Sequence, residues 1–200
     1  MTQQLHYHLE STTLMIKERY IYTTFNFKNK TKIFIHSIYL PNLELKHKEL
    51  YKNIIIELFT TLSKQPIKQN HVTLLLGDLN IRNPNQKKNF IKGSSYSKQY
   101  IEDYSTDSNI MHLILQHFIL TNLAEKFEQS TTPTFVSSDI NKQPSVIDYI
   151  FGSKNLCNKT LEFKILDIVK DKDKFYSSDH NLLMVSIAHP NEYIRSHRNN

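Results

Sequence analysis

Apolar residues alternate with polar ones through residues 19–27 (RYIYTTFNF), with Ile21, Thr23, Phe25 and Phe27 on one face. They alternate again through residues 33–39 (IFIHSIY), after the polar turn 28–32. Aromatic and β-branched residues at period two predict two strands, and the short turn pairs them as a hairpin. Residues 12–17 (TTLMIK) predict a further strand ahead of it, and Pro41 stops the second strand of the hairpin. From Glu44 to about Ser63 the period changes: Leu50, Ile54, Leu58 and Leu62 recur every fourth residue, with Tyr51, Ile55 and Phe59 beside them. That wide apolar stripe, backed by Lys and Glu, predicts a helix lying on a sheet, ended by Pro66. Residues 71–76 then run almost continuously apolar into Gly77-Asp78-Leu79-Asn80. A run without alternation predicts a central strand buried on both faces.

The second half is less regular. Residues 81–107 are polar and predict a long loop with Lys87-Lys88, Gly93-Ser94-Ser95 and three tyrosines. Residues 108–120 predict a second helix, with Ile110, Leu113, Ile114, His117 and Phe118 at helical spacing and Asp107 or Ser108 as its cap. Pro133-Thr134-Phe135-Val136 begins a strand, 137–143 is a turn, and 146–151 (VIDYIF) is the return strand with Asp148 inside it. Residues 161–168 predict a strand, 171–174 a charged loop, and 182–187 an apolar strand directly after Ser177-Ser178-Asp179-His180. The polar tail after His189 is expected to fray. With no repeat and no linker, residues 1–200 read as one domain, its core spanning about 19–188.

Composition narrows the partners more than the fold. A formal net charge of +6 favours a polyanion, nucleic acid above all. Cys157 is the single cysteine, which excludes an intramolecular disulfide and a multi-cysteine zinc site and suits a reducing, intracellular compartment, the nucleus included. The first ten residues carry no apolar signal core, and no stretch is long enough to span a membrane.

Candidate chemistry collects where apolar strands end: Tyr39 with Pro41-Asn42, Asp78 with Asn80, Asp148, and Asp179 with His180. An ionised carboxylate within a buried strand is costly unless paired. A histidine partner for Asp148 would satisfy it, and His180 beside Asp179 is the candidate. Such a pair holds the ring's tautomer and keeps it protonated near neutral pH. Asp78, Asn80 and Asp179 are oxygen donors suited to a hard divalent ion. The competing reading of Asp78–Asn80 is an ordinary Asx turn. The other histidines show no ligand spacing beyond His6-x-His8, and Gly93-Ser94-Ser95 lacks the pattern of a phosphate loop.

The order Tyr39-Leu-Pro-Asn42, Gly77-Asp-Leu-Asn80, Thr134-Phe135, Ile147-Asp-Tyr-Ile-Phe151 and Ser178-Asp-His180 resembles the endonuclease/exonuclease/phosphatase superfamily. Its apurinic-endonuclease and retrotransposon-endonuclease branches are the most similar. The resemblance implies an α/β (α+β) sandwich, two mixed sheets packed face to face with outer helices. It implies a phosphodiester hydrolase dependent on Mg²⁺ or Mn²⁺ and acting on nucleic acid, DNA first. Carried over, Asp78 orients or deprotonates the attacking water and Asn80 positions it. Asp148 orients His180, His180 stabilises the transition state, Tyr39 contacts the phosphate, and Asp78, Asn80 and Asp179 serve the metal. One departure stands out: the family's early Asn strand and Gln-Glu strand find no counterpart, since Glu10 and Glu18 lack a buried-strand setting. The expectation is therefore an N-terminally truncated domain with an exposed sheet edge open to pairing with another chain. The alternatives are an inactive, retroelement-derived remnant with weak nucleic-acid binding, and a phosphatase for small or lipid phosphates.

Overall fold

The computed structural model describes residues 6–27, 30–42, 44–66, 68–81, 110–139, 141–167 and 178–188. Eight strands follow in order: β1 (Leu9–Ile16), β2 (Tyr20–Asn26), β3 (Lys32–Ile38), β4 (His71–Asp78), β5 (Leu120–Asn122), β6 (Asp148–Ser153), β7 (Thr160–Leu166) and β8 (Leu182–Ile187). The helices are α1 (Lys48–Ser63), α2 (Ile110–His117), α3 (Leu123–Lys126) and α4 (Lys154–Lys159). A six-stranded sheet runs β1-β2-β3-β4-β6-β5, and β7 and β8 form a second, antiparallel sheet.

The hairpin of β2 and β3 is antiparallel with Tyr20 opposite Ile38. β3 and β4 are the parallel pair, joined through α1. That is the crossover a parallel connection requires. β6 runs antiparallel to β4, with Asp148 opposite Asp78. β4 explains its own composition. Leu75 and Leu79 join a core with Ile38, Ile54, Leu58, Ile114 and Phe151 under α1 and α2. Val72 and Leu74 face a second core with Leu123, Ile150, Leu156 and Phe163 against the second sheet. A strand packed on both faces is mostly apolar, and the polar His71 and Thr73 within it are hydrogen-bonded.

Several expectations shift. In β2 Tyr20, Thr24 and Phe25 are buried, Tyr20 at 0% exposure, whereas Ile21 is 42% exposed. Ile21 lies on the face that sequence alternation marked as apolar. Tyr20 is tolerated inside because its hydroxyl meets His36 Nδ1 at 2.7 Å. Residues 133–136 form no strand; Phe135 makes isolated bridges to Ser145 and His180. The helix expected to reach Leu120 ends at His117, because Ile119 takes φ 53° and Leu120 enters β5. Asp148 is the first residue of β6 and not an interior one. Residues 82–107, the cap at Asp107 or Ser108, the loop 171–174 and the tail from His189 lie outside the described residues. Among the described residues, β8 has a ladder partner on one side only.

Candidate active site

Topology brings distant carboxylates to one edge. β3 and β4 run parallel, so their ends, Tyr39 and Asp78, lie side by side, and Leu40 N–H donates to the Asp78 carbonyl at 2.9 Å. β6 starts where β4 ends, so Asp148 arrives opposite Asp78. The chain reaches β8 through the same place, since Phe135 bridges His180. Gly77 makes the close approach possible. Its φ is +133°, and a Cβ there would lie 1.9 Å from the Ile38 carbonyl oxygen.

The next two turns aim the side chains. Asn80, at φ 49°, donates its backbone N–H to Asp78 Oδ1 at 2.9 Å. Its Nδ2 donates to the Leu40 carbonyl at 2.7 Å and to Asp78 Oδ2 at 3.3 Å. The Asx turn is therefore real, and it orients the carboxylate instead of competing with a role for it. His180 Nδ1–H donates to Asp148 Oδ2 at 2.9 Å. Phe135 packs edge-on to the His180 ring, centroids 5.0 Å apart.

One ligand atom from each of Asp78, Asp148 and His180 falls within 4.8 Å of the others, a group that could hold a metal ion. Asp179 sits outside it. Its Oδ1 is 3.9 Å from His180 Nε2, and its side chain is mostly exposed. Tyr39 is 47% exposed at the rim.

The charges depend on one another. Burial pushes the Asp78 carboxyl up; the Asn80 N–H offsets this, Asp148 adds to it, and His180 and Arg19 pull it back. Burial pushes the His180 imidazole down, but the hydrogen bond and charge of Asp148, with Asp78 and Asp179, outweigh it and raise the pKa above its ordinary value. The hydrogen bond commits Nδ1 to Asp148 and favours the protonated ring.

Two residues at this edge carried no assigned role in the sequence. Arg19 lies opposite Tyr39 in the hairpin, where Tyr39 N–H donates to its carbonyl at 2.7 Å. Its guanidinium stands 4.2 Å from the Tyr39 ring centroid. The register Tyr20 opposite Ile38 is the signal that would have found it. Thr134 is the other. Its Oγ1 accepts the backbone N–H of Ile147 at 3.1 Å and of Asp148 at 3.0 Å. Its carbonyl accepts Asn181 N–H at 2.7 Å. It ties the segment before β6 to the segment before β8, and so the aspartate to the histidine.

With this architecture the chain resembles solved nucleic-acid enzymes. An AP endonuclease from Leishmania major superposes with a TM-score of 0.61 at 16% identity, over 86% of this chain and 55% of that one. The chain shares the fold of this enzyme. An AP endonuclease from Archaeoglobus fulgidus shares it with a TM-score of 0.61 at 13% identity, over 90% of this chain and 71% of that one. The 3′ phosphatase NExo from Neisseria, bound to a product DNA hairpin, shares it with a TM-score of 0.56 at 14% identity, over 90% and 72%. This chain thus spans little more than half the length of the Leishmania enzyme. No family profile and no curated protein matches the sequence. The fold's two sheets and outer helices are those expected, with the second sheet reduced to two strands among the described residues. No helix among the described residues is long and apolar enough to cross a membrane.

Proposed function

We propose that this chain is a metal-dependent phosphodiester hydrolase acting on DNA as an endonuclease. The observation that carries the proposal is the Asp78–Asp148–His180 group at one edge of the six-stranded sheet. It occurs in a fold shared with AP endonucleases and with a DNA-bound 3′ phosphatase.

The donor set fits a hard divalent cation such as Mg²⁺ or Mn²⁺. Asp78 supplies carboxylate oxygen in a desolvated setting that favours a neutralising charge. Asp148 is committed through Oδ2 to His180. Asp78 is therefore the principal ligand, with the Asn80 amide beside it and Asp179, outside the group, serving the ion through water. When bound, the ion would supply Lewis-acid charge neutralisation at the phosphate.

The chain's own residues do the rest. Asp78 orients the attacking water or accepts its proton. Asn80 orients that water, its own side chain fixed by Leu40 and Asp78. His180 donates from Nε2 to a non-bridging oxygen as negative charge builds there, and Asp148 holds its ring. Tyr39 and Arg19 bind the flanking phosphate from the rim.

A second reading has its own support. Glu10 is clamped by Lys32 Nζ at 2.7 Å, and Glu18 lies in the β1–β2 turn at φ 62°. The group able to hold a metal thus contains two carboxylates and one imidazole among the described residues. A site short of carboxylate binds Mg²⁺ weakly, which favours an inactive relative of these enzymes.

Nicking of supercoiled plasmid with Mg²⁺ or with EDTA, by the wild type and by His180→Ala, decides between them. Mg²⁺-dependent nicking lost in His180→Ala supports the hydrolase. Equal background from both proteins sinks it. Phosphate release from a 3′-phosphorylated oligonucleotide or an inositol phosphate, without nicking, moves the activity to a phosphatase.

A further inference from the structure

The opposite end of β4 carries a groove that the hydrolytic reading leaves unused. It holds about 520 Å³ and is lined by Asn26, Lys30, Lys32, Phe34, Lys68 and His71 among others. A shallower trough continues from it, sharing Asn26 and Lys30 and adding Tyr7, His8 and Phe27. Among the described residues, no carboxylate lines either part. Glu10, on β1, is occupied by Lys32. Among the described residues, Lys30 and Lys68 have no carboxylate partner, and both are exposed.

The walls are fixed by polar contacts. Asn70 Nδ2 donates to the Lys30 carbonyl, tying the β2–β3 turn to the segment before β4. His71 Nδ1–H donates to the Pro66 carbonyl at 3.0 Å, and Asn155 Nδ2 donates to the His71 carbonyl at 3.2 Å. In the trough, the His8 ring stacks on Phe27 with centroids 4.4 Å apart, and Tyr7 stands 83% exposed beside them. Lysines spaced along a groove, with aromatic rings at one end, are the two parts of a surface for single-stranded nucleic acid. The cations follow the phosphates, and the rings accept bases of any sequence.

We propose that this groove binds a single nucleic-acid strand, with Lys30 and Lys68 on its phosphates and Tyr7 stacked on a base. His71 and Asp78 are the two ends of β4, so the groove lies roughly 23 Å from the Asp78 group at strand rise. It is a separate binding site that holds a strand without hydrolysing it. The inference concerns binding alone and stands or falls independently of any nuclease activity.

Fluorescence anisotropy of a labelled twelve-residue oligo(dT) tests it, in EDTA so that no cleavage intervenes. The wild type should bind saturably. Lys30→Glu/Lys68→Glu should weaken binding tenfold or more and flatten the salt dependence by about 1.4 in log–log slope. Tyr7→Ala should weaken it about fivefold or more. Lys30→Arg/Lys68→Arg should keep the affinity. Lys142→Glu/Lys154→Glu changes the net charge equally at exposed lysines elsewhere and should cost less than about threefold. All variants should melt with the wild type. No saturable binding by a folded wild type overturns the proposal. So does an equal loss in the two charge-reversed proteins, which would mean diffuse attraction, and so does an equal loss in His180→Ala, which would put the strand at the other edge.

Discussion

Thr134→Val replaces a buried hydroxyl by a methyl group of the same shape. Thr134 is 1% exposed. Its Oγ1 accepts two backbone N–H groups, from Ile147 and Asp148, at 3.1 and 3.0 Å. The backbone bonds of Thr134 to Ser145 and Asn181 do not involve the side chain and should survive. The substitution therefore leaves two donors without their acceptor. An unsatisfied buried donor costs about 1–3 kcal/mol. Ile147 and Asp148 are only half-buried, so the low end applies to each. The expected loss is about 2 kcal/mol. Thr134→Ser keeps the oxygen and removes one methyl, which costs about 1 kcal/mol. Urea unfolding at neutral pH should thus rank wild type, Ser and Val in falling midpoint, with equal slopes. The same variants should differ in the histidine. Asp148 freed from Thr134 holds His180 less well, so the His180 titration followed by NMR should fall in the Val protein and stay raised in the Ser protein. A Val protein as stable as the Ser protein would refute the assignment of Thr134 as the anchor of Asp148.

Further predictions concern the buried polar groups and the site edge. His36 is 0% exposed and its pKa is lowered by burial to about 4. Gln65 Nε2 donates to its Nε2 at 2.6 Å, and its Nδ1–H points to the Tyr20 hydroxyl, a pattern that needs the neutral ring. The unfolded chain protonates first, so this contribution is complete above about pH 6.5 and is lost as pH falls toward 4, roughly 3 kcal/mol in all. Urea midpoints from pH 7 to 4 should fall more steeply for the wild type than for His36→Leu, and parallel curves would count against a neutral buried histidine. Gly77→Ala should give no cooperatively folded protein by circular dichroism, because its Cβ meets backbone oxygen at 1.9 Å and φ is +133°. Gly152→Ala meets the flexible Leu156 side chain at 2.8 Å and should cost only about 1–3 kcal/mol. Arg19→Ala, at the rim, should leave stability within about 0.5 kcal/mol and raise KM for a DNA substrate more than it lowers kcat; the reverse split would place Arg19 in the chemistry.

The chain's local pattern alone determined the parts that repeat for long enough to be read. α1 shows its apolar stripe over sixteen residues, β2 and β3 alternate around one turn, and β4 and β8 are near-continuous apolar runs. The polar residues at the ends of those runs, Tyr39, Asp78, Asn80 and His180, were visible because they interrupt an apolar context. β5 and the short helices α3 and α4 went unseen, since three strand residues or less than two helical turns carry too little of any period and are set by what they pack against. The same holds at the site. Asp148 stood out in its strand, but only the antiparallel register of β6 against β4 put it at the strand's mouth opposite Asp78. Only the hairpin register put Arg19 beside Tyr39, and only the bridge at Phe135 brought Thr134 between Asp148 and His180. Hydrophobic periodicity specifies which face of an element is buried, and it carries no information about which elements become neighbours. That choice is made by pairing between residues far apart in the chain, and here it turns separate strand ends into one site.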